Sequence, residues 1–232
     1  MRDSWLRFWD RPNAIYVNER HRRVHYARIA DDIISVLPDR PAPRVLDWGC
    51  GQALEAARVA ARCERLFLYD AAPSVREGLA ERHAAVGNIA VVDEAGLAAL
   101  GDGTVDVITV SSVIQYIDKA ELPGILRGFR RLLAKDGLLV IADVIPPEVG
   151  MVDDVRSLLS TAARHGFLPA ALAGLVATLF SDYRRFRRDI GLSTYDDEEL
   201  RGVMRSAGLE PRRHPRNLGF HPGRRTYVAS PA

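Results

Sequence analysis

The sequence predicts an α/β protein with a mostly parallel β-sheet, and three observations support that prediction. Between residues 44 and 144, short apolar strands alternate with helical segments. These strands are rich in valine, isoleucine and leucine and lack a polar face, which is typical of a parallel sheet covered by helices on both faces. Prolines break the chain on either side of the alternation, at residues 38–43 and 146–147.

Each element is placed by its apolar spacing and by the residues that begin or end helices. The predicted strands of the alternating region span residues 44–47, 65–70, 88–93, 104–110 and 137–144. The predicted helices between them span residues 52–63, 73–86, 94–100 and 119–134. A further helix is expected at residues 196–206, and two further strands at residues 209–215 and 224–229.

Two helical segments flank the alternating region. Residues 1–40 read as an N-terminal helical segment. Residues 151–190, the cap segment, read as helical with turn signals at Gly166 and Pro169, and we expect them to form a helical cap over the C-terminal edge of the sheet. A chain of 232 residues fits one domain, so residues 1–232 are expected to fold as a single unit.

Composition and charge exclude several classes of protein. The net charge of +2 argues against a nucleic acid as partner. The two cysteines, Cys50 and Cys63, match no zinc spacing, and no metal site is expected. Low cysteine usage and the lack of an apolar signal segment at residues 1–10 predict a cytoplasmic protein.

The first predicted strand ends in the glycine loop Asp47-Trp48-Gly49-Cys50-Gly51. In open α/β sheets ligands bind beyond the carboxyl ends of the strands, and glycines let the backbone turn tightly and approach a ligand. A dinucleotide fingerprint needs a third glycine at position 54, where this chain has Leu54. Asp47 would repel a pyrophosphate but suits a ligand with a cationic amine.

Acidic residues also end the second and third strands. Asp70 can accept hydrogen bonds from both hydroxyls of a ribose, the alternative being an acid at a helix N-terminus before Pro73. Asp93 can accept a hydrogen bond from an adenine amino group, the alternative being a helix cap. Both residues extend the ligand site along the strand ends.

Together these motifs resemble the class I, Rossmann-like family of S-adenosylmethionine-dependent methyltransferases. The matching series is Val45-Leu46-Asp47-Trp48-Gly49-Cys50-Gly51-Gln52-Ala53, Asp70, Asp93 and Val105-Asp106-Val107-Ile108. The resemblance covers residues 44–144 closely and the C-terminal strands loosely. It implies seven strands with the last one antiparallel, S-adenosyl-L-methionine (SAM) as cofactor and S-adenosyl-L-homocysteine (SAH) as product.

The resemblance also implies a set of cofactor contacts. Asp47, Gly49 and Gly51 would surround the methionine part, with Asp70 on the ribose and Asp93 on the adenine. The neighbouring residues implied to contact the cofactor are Cys50, Ala71, Glu94, Ala95 and Ser111. The chain departs from the family at Ala53, where glycine is frequent, and at Trp48, which is bulkier than the usual aliphatic residue.

The loop after the fourth strand, Ser111-Ser112-Val113-Ile114-Gln115-Tyr116, narrows the subclass. It lacks the Asn/Asp-Pro-Pro-aromatic run that DNA amino-methylating enzymes carry and the two glutamates of arginine methyltransferases. Asp143 alone is too few acids for the metal-dependent catechol type, and neither cysteine follows a proline, as cytosine-C5 enzymes require. A small-molecule O-, N- or C-methyltransferase remains, similar to enzymes that act on quinone precursors and other natural products.

Methyl transfer from a sulfonium needs a general base only when the acceptor must lose a proton. The candidates are His25, Tyr16, Tyr116 and His221, and the sequence selects none of them. His25 lies in the N-terminal helix, which the resemblance implies folds over the cofactor. Its alternative interpretation is a surface histidine in a basic helix.

The cap segment and two arginine clusters suggest which molecules the protein contacts. An apolar run from Phe167 to Phe180 suggests a cap over a hydrophobic or aromatic acceptor, or simply domain core. Five arginines within residues 212–225, and the cluster Arg184, Arg185, Arg187 and Arg188, read as a solvated face or as a surface for an anionic group or, weakly, for a membrane. A homodimer is compatible with the sequence.

Two other functions compete with this reading. A non-catalytic SAM-binding scaffold or regulatory protein would carry the same glycine loop. A nicotinamide-dependent (NAD(P)) oxidoreductase would need the third glycine, and Leu54 speaks against it.

Overall fold

The computed structural model describes residues 2–10, 16–39, 42–179 and 191–232. Seven strands form one sheet: β1 (Arg44–Trp48), β2 (Arg65–Tyr69), β3 (Ile89–Val92), β4 (Val105–Ser111), β5 (Leu133–Val144), β6 (Leu209–Arg213) and β7 (Arg225–Pro231). Their order in the sheet is β3-β2-β1-β4-β5-β7-β6. β7 runs antiparallel to both of its neighbours, whereas the pairs from β3 to β5 are parallel. The predicted fold class is confirmed.

Helices cover the sheet: α1 (Arg2–Trp9), α2 (Glu19–Val36), α3 (Ala56–Ala60), α4 (Pro73–His83), α5 (Glu94–Ala99), α6 (Leu122–Leu132), α7 (Met151–His165), α8 (Leu168–Leu179) and α9 (Asp197–Ser206). Successive strand residues point to opposite faces. Val45 therefore packs in the cluster that contains residues of α2, α3 and α4, and Leu46 packs in the cluster that contains residues of α6 and α9.

The helix predicted at residues 52–63 is wrong at its start, because α3 begins only at Ala56. Gly51 and Ala53 have φ values of +56° and +38°, outside the helical region, so the chain cannot enter a helix at Gln52. A helix that began at Gln52 would direct free backbone N–H groups at the glycine loop, but α3 does not start there. Instead, the Gln52 backbone N–H donates to the Tyr26 hydroxyl at 2.9 Å.

The predicted N-terminal helical segment consists of α1 and α2 in the described part of the chain. The Asn18 side chain caps the start of α2 by accepting from the His21 backbone N–H at 2.8 Å. β5 is longer than predicted, because it starts at Leu133 rather than at Gly137.

The cap segment forms α7 and α8, separated by Gly166 with a left-handed φ of +74°. Phe167 is buried between the two helices with Ala162 and Ala171. Leu168, Leu172 and Val176, one helical turn apart on α8, are exposed. Residues 180–190, including Phe180 and the Arg184–Arg188 cluster, lie outside the described residues. Among the helices that the structure does describe, none has both the length and the apolar character needed to cross a membrane.

Leu126 tests the packing of α6 on the sheet, since its side chain is fully buried in the larger core cluster. Replacing it with alanine (Leu126→Ala) should lower the free energy of unfolding by about 2–5 kcal/mol, because the cavity left behind adds to the lost transfer energy. Urea denaturation measures the loss. The neighbouring exposed Arg127→Ala should change it by less than about 0.5 kcal/mol. Equal effects of the two substitutions would contradict this packing.

Candidate functional site

A cavity of about 830 Å³ lies at the carboxyl ends of β1, β2 and β4. Ten of the residues predicted from the sequence line it: Tyr16, His25, Gly49, Cys50, Gly51, Asp70, Ala71, Glu94, Ser111 and Tyr116. Four other predicted residues lie elsewhere: Asp47, Asp93, Ala95 and His221. The sheet order reverses between β1 and β4, so the cavity lies at the switch point where open α/β sheets bind ligands.

The glycine loop is fastened to the end of β2. The backbone N–H groups of Gly49 and Cys50 both donate to the Tyr69 carbonyl, at 2.7 and 3.0 Å. Gly49 has φ +76°, and a Cβ atom there would lie 2.6 Å from Val113 Cγ2. At Gly51, a Cβ atom would lie 2.7 Å from the Tyr26 hydroxyl. Both positions therefore need glycine for conformation and for space.

Asp70 lies beside the loop and is partly buried. Its two carboxylate oxygens accept from the backbone N–H groups of Gly51, at 2.9 Å, and Ala72, at 3.0 Å. Burial raises the pKa of Asp70, and these two hydrogen bonds oppose that rise. Each oxygen has a further lone pair, so the carboxylate can accept two hydroxyl groups from the cavity.

Asp47 lies beneath the loop rather than in the cavity. It is buried, and the Thr109 hydroxyl donates to its Oδ1 at 3.0 Å. Burial raises the pKa of Asp47 to about 7, with a further rise from the negative charge of Asp70. Burial also raises the pKa of the Cys50 thiol well above its usual value, which favours the thiol over the nucleophilic thiolate.

Asp93 and Glu94 differ in placement although they are adjacent. The Asp93 carboxylate accepts from the Gly96 backbone N–H at 2.8 Å and caps α5, which is the alternative interpretation considered for it. Glu94 lines the cavity and accepts from the Tyr69 hydroxyl at 2.9 Å. Leu97 and Ala98 of α5 also line the cavity, and sequence reasoning missed both.

Sequence reasoning also missed Trp5 and Trp9, which together with the predicted Tyr16 and Tyr116 form the aromatic wall of the cavity. The ring centroids of Trp5 and Trp9 lie 4.5 and 5.4 Å from that of Tyr116. Tyr16 packs against His25 at 5.3 Å. Two tryptophans one helical turn apart in α1 were the available signal, because that spacing places them on one face of a helix.

The four candidate bases are not equivalent. His25 lines the cavity, and burial lowers its pKa to about 4, with a further lowering from His21, so the imidazole is neutral at physiological pH. Burial raises the pKa of Tyr16 far above its usual value, which keeps its hydroxyl protonated. Tyr116 lines the cavity, whereas His221 lies in a second cavity next to it.

The second cavity has a volume of about 270 Å³ and lies between α2, α7 and the loop that precedes β7. It shares His25, Ser111 and Ser112 with the first, together with Asp143 and Arg224, so these side chains stand between the two spaces. Of the cap segment, the described residues that line either cavity are all on α7: Asp154, Ser157, Leu158 and Thr161. Of α8, Leu168, Leu172, Leu175 and Val176 line neither cavity, while Leu179 and Phe180 of the expected apolar cover have no described side chain.

The arginine cluster at residues 212–225 is only in part a solvated face. Arg216 pairs with Asp32 at 3.1 Å, and Arg225 pairs with Glu148. Arg224 is only 15% exposed and bridges two carboxylates, those of Asp143 at 2.7 Å and Asp154 at 2.8 Å. This last pair of contacts joins β5 to the cap segment.

The sheet and the ligand cavity at its switch point define a Rossmann-like α/β protein. A family model described as a methyltransferase domain matches residues 19–214, and the chain therefore belongs to the methyltransferase-domain family. The resemblance drawn from the glycine loop and the strand-end acids is confirmed at the level of the family. A search of curated proteins gave no match to the chain.

Solved structures similar to this chain support the fold. The DhpI–SAH complex superposes with a TM-score of 0.63 at 12% identity, covering 100% of this chain and 97% of that one. Magnesium protoporphyrin IX methyltransferase from Synechocystis PCC 6803 with bound SAH gives 0.59 at 16% identity, covering 99% and 94%. Phosphoethanolamine N-methyltransferase 1 from Haemonchus contortus gives 0.52 at 25% identity, covering 64% of this chain and 34% of that one.

The space above Gly51 gives a test of the loop geometry. Gly51→Ala should lower the free energy of unfolding by about 1–2 kcal/mol for the left-handed backbone, and further because of the clash with the Tyr26 hydroxyl. Tyr26→Phe removes that hydroxyl, so the double variant should lose less than the sum of the two single losses. Chemical denaturation measures all three. Gly78→Ala, with nothing within 4 Å of the added Cβ, should instead gain about 0.5–1 kcal/mol. Strictly additive losses at Gly51 and Tyr26 would contradict the contact.

The raised pKa of Asp47 gives a pH dependence of stability. Between about pH 4, where an unfolded aspartate ionises, and about pH 7, the folded protein holds a proton that the unfolded chain has released. The contribution of Asp47 to stability is thus full below about pH 4 and is lost as pH rises through about 7. Asp47→Asn should be more stabilising, relative to wild type, at pH 8 than at pH 5 in urea denaturation. The exposed Asp136→Asn is the matched control, and equal pH profiles for the two variants would refute the assignment.

Proposed function

We propose that the protein transfers the methyl group of SAM to a small hydrophobic or aromatic acceptor by in-line displacement. The observation that carries the proposal is that one cavity has a polar wall suited to the cofactor and an aromatic wall suited to the acceptor. The glycine loop and Asp70 form the first wall, and the aromatic wall defined above forms the second. Membership of the methyltransferase-domain family supports the reaction class.

The cofactor is proposed to extend from the glycine loop towards α5. The methionine part would lie against Gly49 and Gly51, where the missing side chains let a ligand approach the backbone. The ribose hydroxyls would donate to Asp70, and the adenine would lie beside Glu94 and Leu97. DhpI and the Synechocystis enzyme contain SAH, which supports this choice of ligand.

Asp93 is proposed to act through α5 rather than by direct contact. Its carboxylate is engaged in capping the helix that carries Glu94 and Leu97. Ala95 follows on the same turn and does not line the cavity. Asp47 is proposed to act electrostatically from beneath the loop, because a buried carboxylate without a bonded cation favours a positively charged ligand nearby.

The acceptor is proposed to bind against the aromatic wall. Flat apolar rings pack well against Trp5, Trp9 and Tyr116, and aromatic pairs gain from offset or edge contacts. The sulfonium supplies its own leaving group, so holding the acceptor atom in line with the methyl group provides most of the rate. When the acceptor must lose a proton, the neutral His25, which lines the same cavity, can accept it.

Cofactor binding separates the proposed roles of Asp70 and Asp93. Titration calorimetry with SAH should give a dissociation constant in the micromolar range for wild type, and no binding of NAD. Asp70→Asn should weaken SAH binding at least about tenfold. Hydrogen bonds that the ribose hydroxyls donate to an ionised carboxylate contribute about 1.5–3 kcal/mol, and the neutral amide loses most of that energy. Asp93→Ser keeps a capping oxygen and should change the affinity less than about twofold. Failure of SAH to bind wild type, or tight NAD binding, would refute the proposed function.

Turnover distinguishes an enzyme from a SAM-binding scaffold. Transfer of a labelled methyl group from SAM to a panel of phenols, quinols and aromatic amines should yield labelled product with wild type. A protein that binds SAH but labels none of these acceptors would support the scaffold instead.

A further inference from the structure

The second cavity contains three buried hydrogen-bond donors without an acceptor. Thr161 Oγ1, His221 Nε2 and Arg224 Nε are buried and have no hydrogen-bond partner among the described residues. All three residues line the same 270 Å³ cavity, and Thr161 and His221 are only 3% and 8% exposed. Buried polar groups are normally paired, so three of them around one space indicate a site for a ligand.

The hydrogen-bonding role of each atom follows from its surroundings. The Gly223 backbone N–H donates to His221 Nδ1 at 3.1 Å, so in the neutral imidazole the proton is on Nε2, which is a donor. Asp154 Oδ1 lies 3.7 Å from that nitrogen, too far for a hydrogen bond. The Nη atoms of Arg224 are used by Asp143 and Asp154, which leaves its Nε–H. Together with the Thr161 hydroxyl, the cavity offers three donors to an oxygen atom.

The charges around this cavity argue against a charged ligand. Asp143 and Asp154 share Arg224, while Asp32 is bonded by both Arg28 and Arg216. Three carboxylates thus face three guanidinium groups, so the charges already present are matched in number. A carboxylate ligand would add an unmatched negative charge close to Asp143 and Asp154, whereas a ketone or similar neutral oxygen adds acceptors without charge.

We propose that the donor pocket, formed by Thr161, His221 and Arg224, binds an uncharged oxygen-bearing head group of the methyl acceptor. This inference rests on the proposed function, because it assigns the second cavity to the substrate of the same site. His25, Ser111 and Asp143 line both cavities, so an acceptor with its ring against the aromatic wall reaches the donor pocket past His25. The acceptor class is an aromatic or hydrophobic body bearing a carbonyl or comparable neutral oxygen.

Three probes of one shape test the head group in wild-type protein saturated with SAH. They are 2-acetylnaphthalene, 2-ethylnaphthalene and 2-naphthoate, and equilibrium dialysis gives their affinities. The ketone should bind at least about fivefold more tightly than the ethyl compound, as expected for hydrogen bonds gained by otherwise unpaired donors. Equal affinities for the ketone and the ethyl compound, or no binding of any probe, would contradict the proposal and indicate that only water occupies the cavity. Tighter binding of the naphthoate would overturn the uncharged head group.

A matched pair of variants on α7 tests the pocket itself. Thr161→Val removes one donor with little change of shape and should weaken ketone binding about fivefold while leaving the ethyl compound unchanged. Ser160→Ala, on the exposed side of the same helix, should change neither. A parallel loss for both probes would show a structural effect and contradict the proposal. SAH affinity and the melting temperature are measured for each variant. If wild type does not bind SAH, the proposed function is refuted. If wild type binds SAH but does not bind the ketone more tightly than the ethyl compound, only the donor pocket is refuted.

Discussion

The structure of the site depends on a turn that only glycine can make. Gly49 and Gly51 have left-handed backbone conformations, and two neighbouring side chains occupy the space where their Cβ atoms would be. Val113 comes from the loop after β4, and Tyr26 comes from α2. The missing side chains therefore allow three separate parts of the chain to meet at one point. The same turn directs the Gly51 N–H to Asp70 and fixes that carboxylate at the cavity.

Two carboxylates close to this turn are held without a bonded cation. Burial raises the pKa of both Asp47 and Asp70, and the charge of Asp70 adds to the rise at Asp47. Such an arrangement costs stability when both groups ionise, because no described basic side chain is bonded to either carboxylate and only the nearby charge of Arg76 offsets that of Asp70. A bound cation would offset that cost, and both the sulfonium and the amine of the proposed cofactor carry positive charge. The electrostatics of the site thus favour a cationic ligand, as the position of Asp47 had suggested.

The sequence predicts the sheet well because its strands are encoded locally, as runs of apolar residues between turns. The site is encoded only in part. Asp70 and Asp93 each follow directly on a strand, yet Asp93 comes directly before its helix and accepts from the Gly96 N–H, while two residues separate Asp70 from Pro73. That difference could have been read from the spacing. The positive φ of Ala53, just before the late start of α3, could not, because alanine disfavours that backbone region and so gives no sign of it in the sequence. The meeting of Trp5 with Tyr116 spans more than a hundred residues.

In the described part of the cap segment, hydrophobicity does not predict which helix lines the second cavity. The most apolar helix of that segment, α8, exposes Leu168, Leu172 and Val176, while α7 turns polar residues towards the second cavity. A buried donor left without an acceptor costs free energy comparable to a lost hydrogen bond, so a ligand without the matching oxygen is penalised. A site that hydrogen-bonds a polar atom of its ligand discriminates strongly against analogues that lack this atom. An apolar pocket discriminates much less between two molecules of similar shape. Choice among acceptors would then come from α7 and Arg224, and affinity for the acceptor ring from the aromatic wall.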